Sequence, residues 1–229
     1  MKLFYIFSIA IFCSLTLGCN AESKLVGVES KAYFNDGEFV GLMNLGDTIT
    51  NTELDYSLDL SAGGELRSNT CTDVNNANDA TIEPSQYHLV RLMKVNCIAA
   101  EHFIKAKHIK SVLSYLPEKI TVNFIQSLPL SAVPDLGGSS LQDKKGLLIT
   151  DDNDFKILTV NEGSIEVAIS GGLVVNYLVM AKGDFDKDGF EDVLLRLDWY
   201  VDTAFGKGFD LLMVSKSSEK ESPVVTWRM

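Results

Sequence analysis

The residues best suited to chemistry in this chain are the carboxylates of Asp184-Phe185-Asp186-Lys187-Asp188-Gly189-Phe190-Glu191-Asp192, which occupy loop positions 1, 3, 5 and 9 with glycine at position 6. A hard divalent cation of calcium's size takes six to eight oxygen ligands at about 2.3–2.6 Å, and alternate residues of a tightly curved loop turn inward to supply them. Asp184, Asp186 and Asp188 would give three ligands, the Phe190 backbone carbonyl a fourth, and Asp192 would close the site directly or through water. Gly189 permits the sharp reversal, while Lys187 and Glu191 are expected to face solvent. Unneutralised, the carboxylates would repel one another, so a bound Ca²⁺ would order the loop and serve structure rather than catalysis. An ordinary acidic turn around Asp188-Gly189 would explain the glycine without any metal.

Other groups carry weaker chemistry. His102 and His108 stand six apart, whereas helical metal pairs stand three or four apart, and His88 has no partner nearby. His102 and His108 read as surface histidines, and three histidines in all leave few general bases for neutral pH. The sequence contains no Gly-x-Ser-x-Gly elbow, no phosphate-cradling Gly-x-x-x-x-Gly-Lys loop and no dinucleotide fingerprint. Asp151, Asp152 and Asp154 could form a second cation site or flank a glycoside, or simply make a solvated turn. Trp199 and Phe205 offer either a stacking surface or ordinary packing.

The elements that must position the acidic loop are strands. Apolar runs at Phe155–Val160, Ile165–Ile169, Leu173–Met180, Val193–Leu197, Phe209–Val214 and Val224–Trp227 are separated by turns such as Asn161-Glu162-Gly163 and Gly171-Gly172. That spacing predicts an antiparallel meander with the loop joining two of its strands. Upstream, Leu54, Tyr56, Leu58 and Leu60 alternate with polar residues as in a half-buried strand. Asn35-Asp36-Gly37 suggests a hairpin between Ala32–Phe34 and Glu38–Met43, and the polar stretch Ser68–Ser85 reads as a surface loop. Ala100, Phe103 and Ile104 recur at helical spacing and predict a helix over Cys97–Ala106. The expected fold is α+β, a β-rich C-terminal antiparallel meander with a short helical segment in the N-terminal half. Residues 25–229 are expected to form one domain, although Pro129, Pro134, Gly137 and Gly138 would allow a subdivision near 127–146.

At the amino terminus, Lys2 precedes an apolar run from Leu3 to Phe12 that continues through Leu15 and Leu17 to Gly18. The run is shorter than the ~20 residues of a spanning helix and reads as a signal peptide over residues 1–18. Leu15-Thr16-Leu17-Gly18-Cys19 resembles the lipobox of bacterial lipoproteins, with Thr16 where that family prefers leucine. The resemblance implies acylation of Cys19 and a lipidated tether over residues 19–24, with Asn20 rather than aspartate pointing to the outer membrane facing the periplasm. Cleavage after Gly18 without lipidation is the alternative. With Cys13 removed and Cys19 lipidated, Cys71 and Cys97 remain as an even pair for a disulfide in an oxidising compartment.

Loss of residues 1–18 removes one of 20 basic residues, so 19 face 31 acidic ones and the net charge is −12, which argues against nucleic acid as a partner. The acidic loop resembles the calcium loops of FG-GAP and similar β-rich repeats. It departs from an EF-hand, since position 12 is Leu195 and the flanks read as strands. More loosely, Lys182–Lys216 looks like the carboxy-terminal segment of uncharacterised bacterial envelope proteins, a likeness that brings no activity with it. Together these features describe a calcium-stabilised envelope lipoprotein, non-enzymatic, binding an envelope protein or glycan. The alternative is a polysaccharide or peptidoglycan hydrolase that uses acidic residues.

Overall fold

The structure is a computed structural model that describes residues 28–109, 112–136 and 145–229. The signal segment, Cys19 with its tether, and Gly137-Gly138 lie outside the described residues. In chain order the elements are β1 (Val28–Ser30), β2 (Tyr33–Phe34), β3 (Leu42–Asn44), β4 (Glu53–Asp59), β5 (Glu65–Thr70), α1 (Cys71–Asn76) and α2 (Tyr87–Ala106). There follow β6 (Val112–Ser114), α3 (Val122–Gln126), β7 (Lys156–Asn161), β8 (Ser164–Ile169), β9 (Leu173–Gly183), β10 (Asp192–Val201), β11 (Lys207–Ser215) and β12 (Val224–Arg228).

The last six strands form the antiparallel meander in the order β12-β11-β10-β9-β8-β7, so the fold is α+β with a β-rich C-terminal half. All six apolar runs read from the sequence are strands. β2 extends this sheet by pairing Tyr33 with Lys182 and Phe34 with Ala181 of β9. The sheet is covered on both faces, which is why β9 reads as an almost unbroken apolar run. On one face Val175, Tyr177, Val193, Leu195 and Leu212 pack against Phe124, Ile125, Leu128 and Ile149. On the other, Met180, Ala181, Leu194 and Leu211 pack against Val95 and Ala99 of α2.

Helix α2 has two buried stripes. Val90, Met93, Cys97 and Ala100 follow the i, i+3, i+7, i+10 spacing of a helix face and meet Leu54, Leu58 and Val74 beneath the β3-β4-β5 sheet. Its 20 residues exceed the expected Cys97–Ala106 by ten at the amino end. That end carries no side-chain cap, being led in by a short 3-10 turn over Pro84–Gln86. Burial on two sides also blurs the single-stripe pattern that marks an amphipathic helix.

Two further expectations fail. Asp36-Gly37 does not close a hairpin: a 3-10 turn over Asp36–Glu38 passes the chain from β2 in the large sheet to β3 in the small one. Ser68–Ser85 is not a plain surface loop, since Ser68–Thr70 finish β5 and α1 follows directly. Thr70 caps α1 by accepting from the Asp73 N–H at 3.2 Å, and Asp73 accepts from the Thr70 N–H at 2.9 Å, a reciprocal capping box. Cys71 opens α1 and is disulfide-bonded to Cys97 in α2, as cysteine parity suggests. No helix among the described residues is long and apolar enough to cross a membrane.

Candidate metal centre

Gly183, the last residue of β9, pairs with Asp192, the first of β10, so residues 184–191 form the loop of a hairpin whose strands are among the most buried in the molecule. Such a base holds the loop ends rigidly. Within the loop the backbone turns left-handed at Lys187 (φ 68°) and Gly189 (φ 91°). A glycine adopts that conformation without strain, and a lysine does not.

The reversal aims backbone N–H groups at the carboxylates. Asp184 accepts from the Asp188 N–H at 3.0 Å and the Gly189 N–H at 3.1 Å, Asp186 accepts from the Asp188 N–H at 3.1 Å, and Asp188 accepts from the Phe190 N–H at 2.8 Å. These bonds turn three side chains inward. One carboxylate oxygen each from Asp184, Asp186 and Asp188 lies within 4.8 Å of the others, so the group could hold a metal ion. Two oxygens on opposite sides of a calcium ion stand about 4.6–5.2 Å apart, twice the ordinary bond length, so the spacing fits. Asp184 is buried while Asp186 and Asp188 are exposed, which gives the group an open side.

Asp192 stands apart from that group. It is fully buried at the hairpin base, where it accepts from the Phe185 N–H at 2.9 Å and from the Ser215 hydroxyl. Burial pushes its carboxyl up to about 6, against the hydrogen bonds from Ser215 and Phe185, and the charges of Asp186 and Asp188 add to the rise. Asp186 is also raised, by burial first and then by the neighbouring carboxylates. A divalent ion would reverse both shifts. Phe190 sits at the rim with its ring centroid 6.0 Å from that of Tyr115.

Glu191 departs from expectation. It is buried rather than solvated, at 3% exposure, and accepts from the hydroxyls of Ser30 and Ser114, the latter at 2.7 Å. The reason is β6, which lies along the loop: the Leu113 N–H donates to the Gly189 carbonyl at 3.3 Å and the Glu191 N–H to the Leu113 carbonyl at 2.8 Å. β6 in turn pairs with β1, so a small ribbon roofs one side of the loop. No signal near Glu191 in the sequence announces strands so distant in the chain.

The remaining sequence candidates disperse. His102 is half-buried between Phe185 and Trp227, at ring separations of 5.8 and 5.1 Å, and burial lowers its pKa. It packs behind the acidic loop, whereas His108 is exposed. Asp151 accepts from the Leu148 N–H at 2.7 Å, and Asp152 accepts from the N–H and hydroxyl of Ser170 at 2.9 and 2.7 Å. Both carboxylates fasten turns. Trp199 packs half-buried against the sheet core, whereas Phe205 is fully exposed at the β10–β11 turn.

Comparisons with protein-family models, with curated proteins and with solved structures return no match for this chain.

Proposed function

We propose that this chain is an exported, lipid-anchored envelope protein whose β-rich half is stabilised by Ca²⁺ and serves as a non-enzymatic binding module. The observation that carries the metal reading is the convergence of Asp184, Asp186 and Asp188 to within 4.8 Å on a hairpin with rigid ends. Oxygen-only donors in a partly open cluster favour Ca²⁺, which accepts irregular coordination, over Mg²⁺, which demands octahedral geometry, and over zinc, which favours nitrogen and sulfur. The Phe190 carbonyl and Asp192 complete the proposed ligand set, Asp192 reaching it from the hairpin base directly or through water. The anchor rests on Cys19 in its lipobox-like string, and periplasm-facing attachment to the outer membrane follows from Asn20. A disulfide at Cys71–Cys97 suits an oxidising compartment.

The ion's task in this reading is to cancel repulsion and lock the β9–β10 hairpin. Calorimetric titration of the purified chain with Ca²⁺ should show one saturable site in the 10⁻⁴–10⁻³ M range usual for extracellular modules, roughly. Ten millimolar Ca²⁺ would then stabilise the fold by about 1.4–2.7 kcal/mol through mass action, and Asp186→Ala should abolish both effects. A flat titration of the native chain would refute the metal reading. Mass spectrometry of the membrane fraction tests the anchor: an acylated Cys19 supports it, and a free chain beginning at Cys19 sinks it.

A further inference from the structure

Between the β1–β6 ribbon and the near end of the large sheet lies a groove of about 800 Å³ that borders the acidic loop through Glu191 and contains none of the three clustered aspartates, with Lys182 also in its lining. That volume is within the usual range for small-molecule sites, about 300–1,000 Å³. Leu116, Ile120, Val179 and Tyr33 form apolar walls, and the exposed Lys119–Glu162 ion pair stands at the rim.

Two oppositely charged side chains in the lining are more than nine-tenths buried, Lys182 at 8% and Glu191 at 3% exposure. They do not pair with each other. The Lys182 ammonium donates to the Pro117 and Glu118 carbonyls, both at 2.6 Å, and Glu191 accepts from the Ser30 and Ser114 hydroxyls. An ammonium has three donors and a carboxylate about four acceptor sites, so each keeps capacity in reserve. Isolated buried charge is costly, and a groove built for stability alone would pair these groups or replace them with apolar ones.

Lys182 pairs with Val193 in the β9–β10 ladder, and Glu191, the last residue of the loop before β10, stands two positions ahead of Val193, so both line the same end of the hairpin.

We propose that this groove binds a free short peptide, its terminal ammonium on Glu191, its terminal carboxylate on Lys182 and an apolar side chain against Leu116, Ile120 and Val179. The assignment names a ligand class for the binding-module reading and does not depend on the calcium site. A purely anionic ligand is disfavoured because the lining carries Glu29, Glu38, Glu118, Glu162 and Glu191 against Lys31, Lys119 and Lys182.

The test is calorimetric titration of the purified full chain, in detergent, with Leu-Leu and with its N-acetylated and C-amidated forms. Free Leu-Leu should bind saturably, each capped form should lose about tenfold in affinity or more, and Glu191→Gln should erase the preference for a free amino terminus. Equal binding of free and capped peptides would overturn the assignment, as would no heat from any peptide at millimolar concentration. Binding of N-acetylglucosamine with no heat from Leu-Leu would also overturn it, in favour of a glycan. Because the capped ligands carry the comparison, a misfolded variant cannot mask the result. A calcium titration on the same sample separates the two readings: heat with Ca²⁺ and none with peptide sinks the groove alone, and the reverse sinks the metal site alone.

Discussion

Breaking the Cys71–Cys97 disulfide should cost this fold more than any surface change, and the amount follows from the chain it closes. The two half-cystines are 26 residues apart in sequence and join the start of α1 to the middle of α2. The chain-entropy relation gives about 12 cal/mol/K for a loop of that length, or about 3.5 kcal/mol at 25 °C. For a body of this size, 1 kcal/mol moves the melting temperature by about 2–4 °C, so the fall should be about 7–14 °C. Both sulfurs are essentially inaccessible. The protein should therefore be reduced in urea and refolded before scanning calorimetry. Cys71→Ala/Cys97→Ala serves as the second arm, insensitive to reductant and somewhat less stable than the reduced wild type, because each truncation leaves a small void. An expanded denatured ensemble should also raise the urea m-value on reduction. A shift under 3 °C on full reduction would refute the reasoning, since it would mean that α1 and α2 hold each other without the covalent link.

Two further outcomes are expected. In metal-free buffer, stability should decline as pH rises from about 4 to 6: Asp192 binds its proton more tightly folded, near 6, than unfolded, near 3.8, so the native state holds the extra proton within that window. Urea midpoints across pH 4–7 measure this, and an unchanged slope in Asp192→Asn would assign the effect elsewhere. Arg196, at 5% exposure, forks onto both Asp198 oxygens at 2.7 and 2.9 Å and reaches the Glu38 carbonyl and the Asn96 side chain at 2.8 and 3.0 Å. Arg196→Ala should cost about 3 kcal/mol by stranding these partners, read as a lower urea midpoint. Arg196→Lys should recover only part of that loss, because an ammonium cannot reproduce the fork.

The legible parts of the sequence were those whose cause is local. Glycine-punctuated apolar runs marked all six strands of the meander, because each strand pairs with its sequence neighbour. Alternating aspartates marked the acidic loop because their convergence depends on turn geometry within a few residues. The disulfide emerged from parity. Thr70-x-x-Asp73 was a capping signature that the polar composition around it concealed. The first ten residues of α2, the crossover of residues 35–41 between sheets and the burial of Glu191 were not legible. Each is decided by a surface supplied from far along the chain: the large sheet for α2, β9 for β2, and β1 with β6 for Glu191. The groove was missed for the same reason, since β1 and β6, which form its other wall, lie far from Lys182 and Glu191 in the chain.

The pairing of β2 with β9 sets an order of events during synthesis. Asn35 donates from its backbone to the Met180 carbonyl and from its side chain to that of Val179, both at 2.9 Å, across 144 residues or more of intervening chain. The amino-terminal segment therefore has no docking edge until the carboxy-terminal strands have emerged. The apolar stripe of α2 that meets Met180, Leu194 and Leu211 is likewise bare until then. A chain threaded through a membrane pore from its amino terminus would spend most of transit as an incomplete half, dependent on holding factors, and would close in one late step when β9 and β10 arrive.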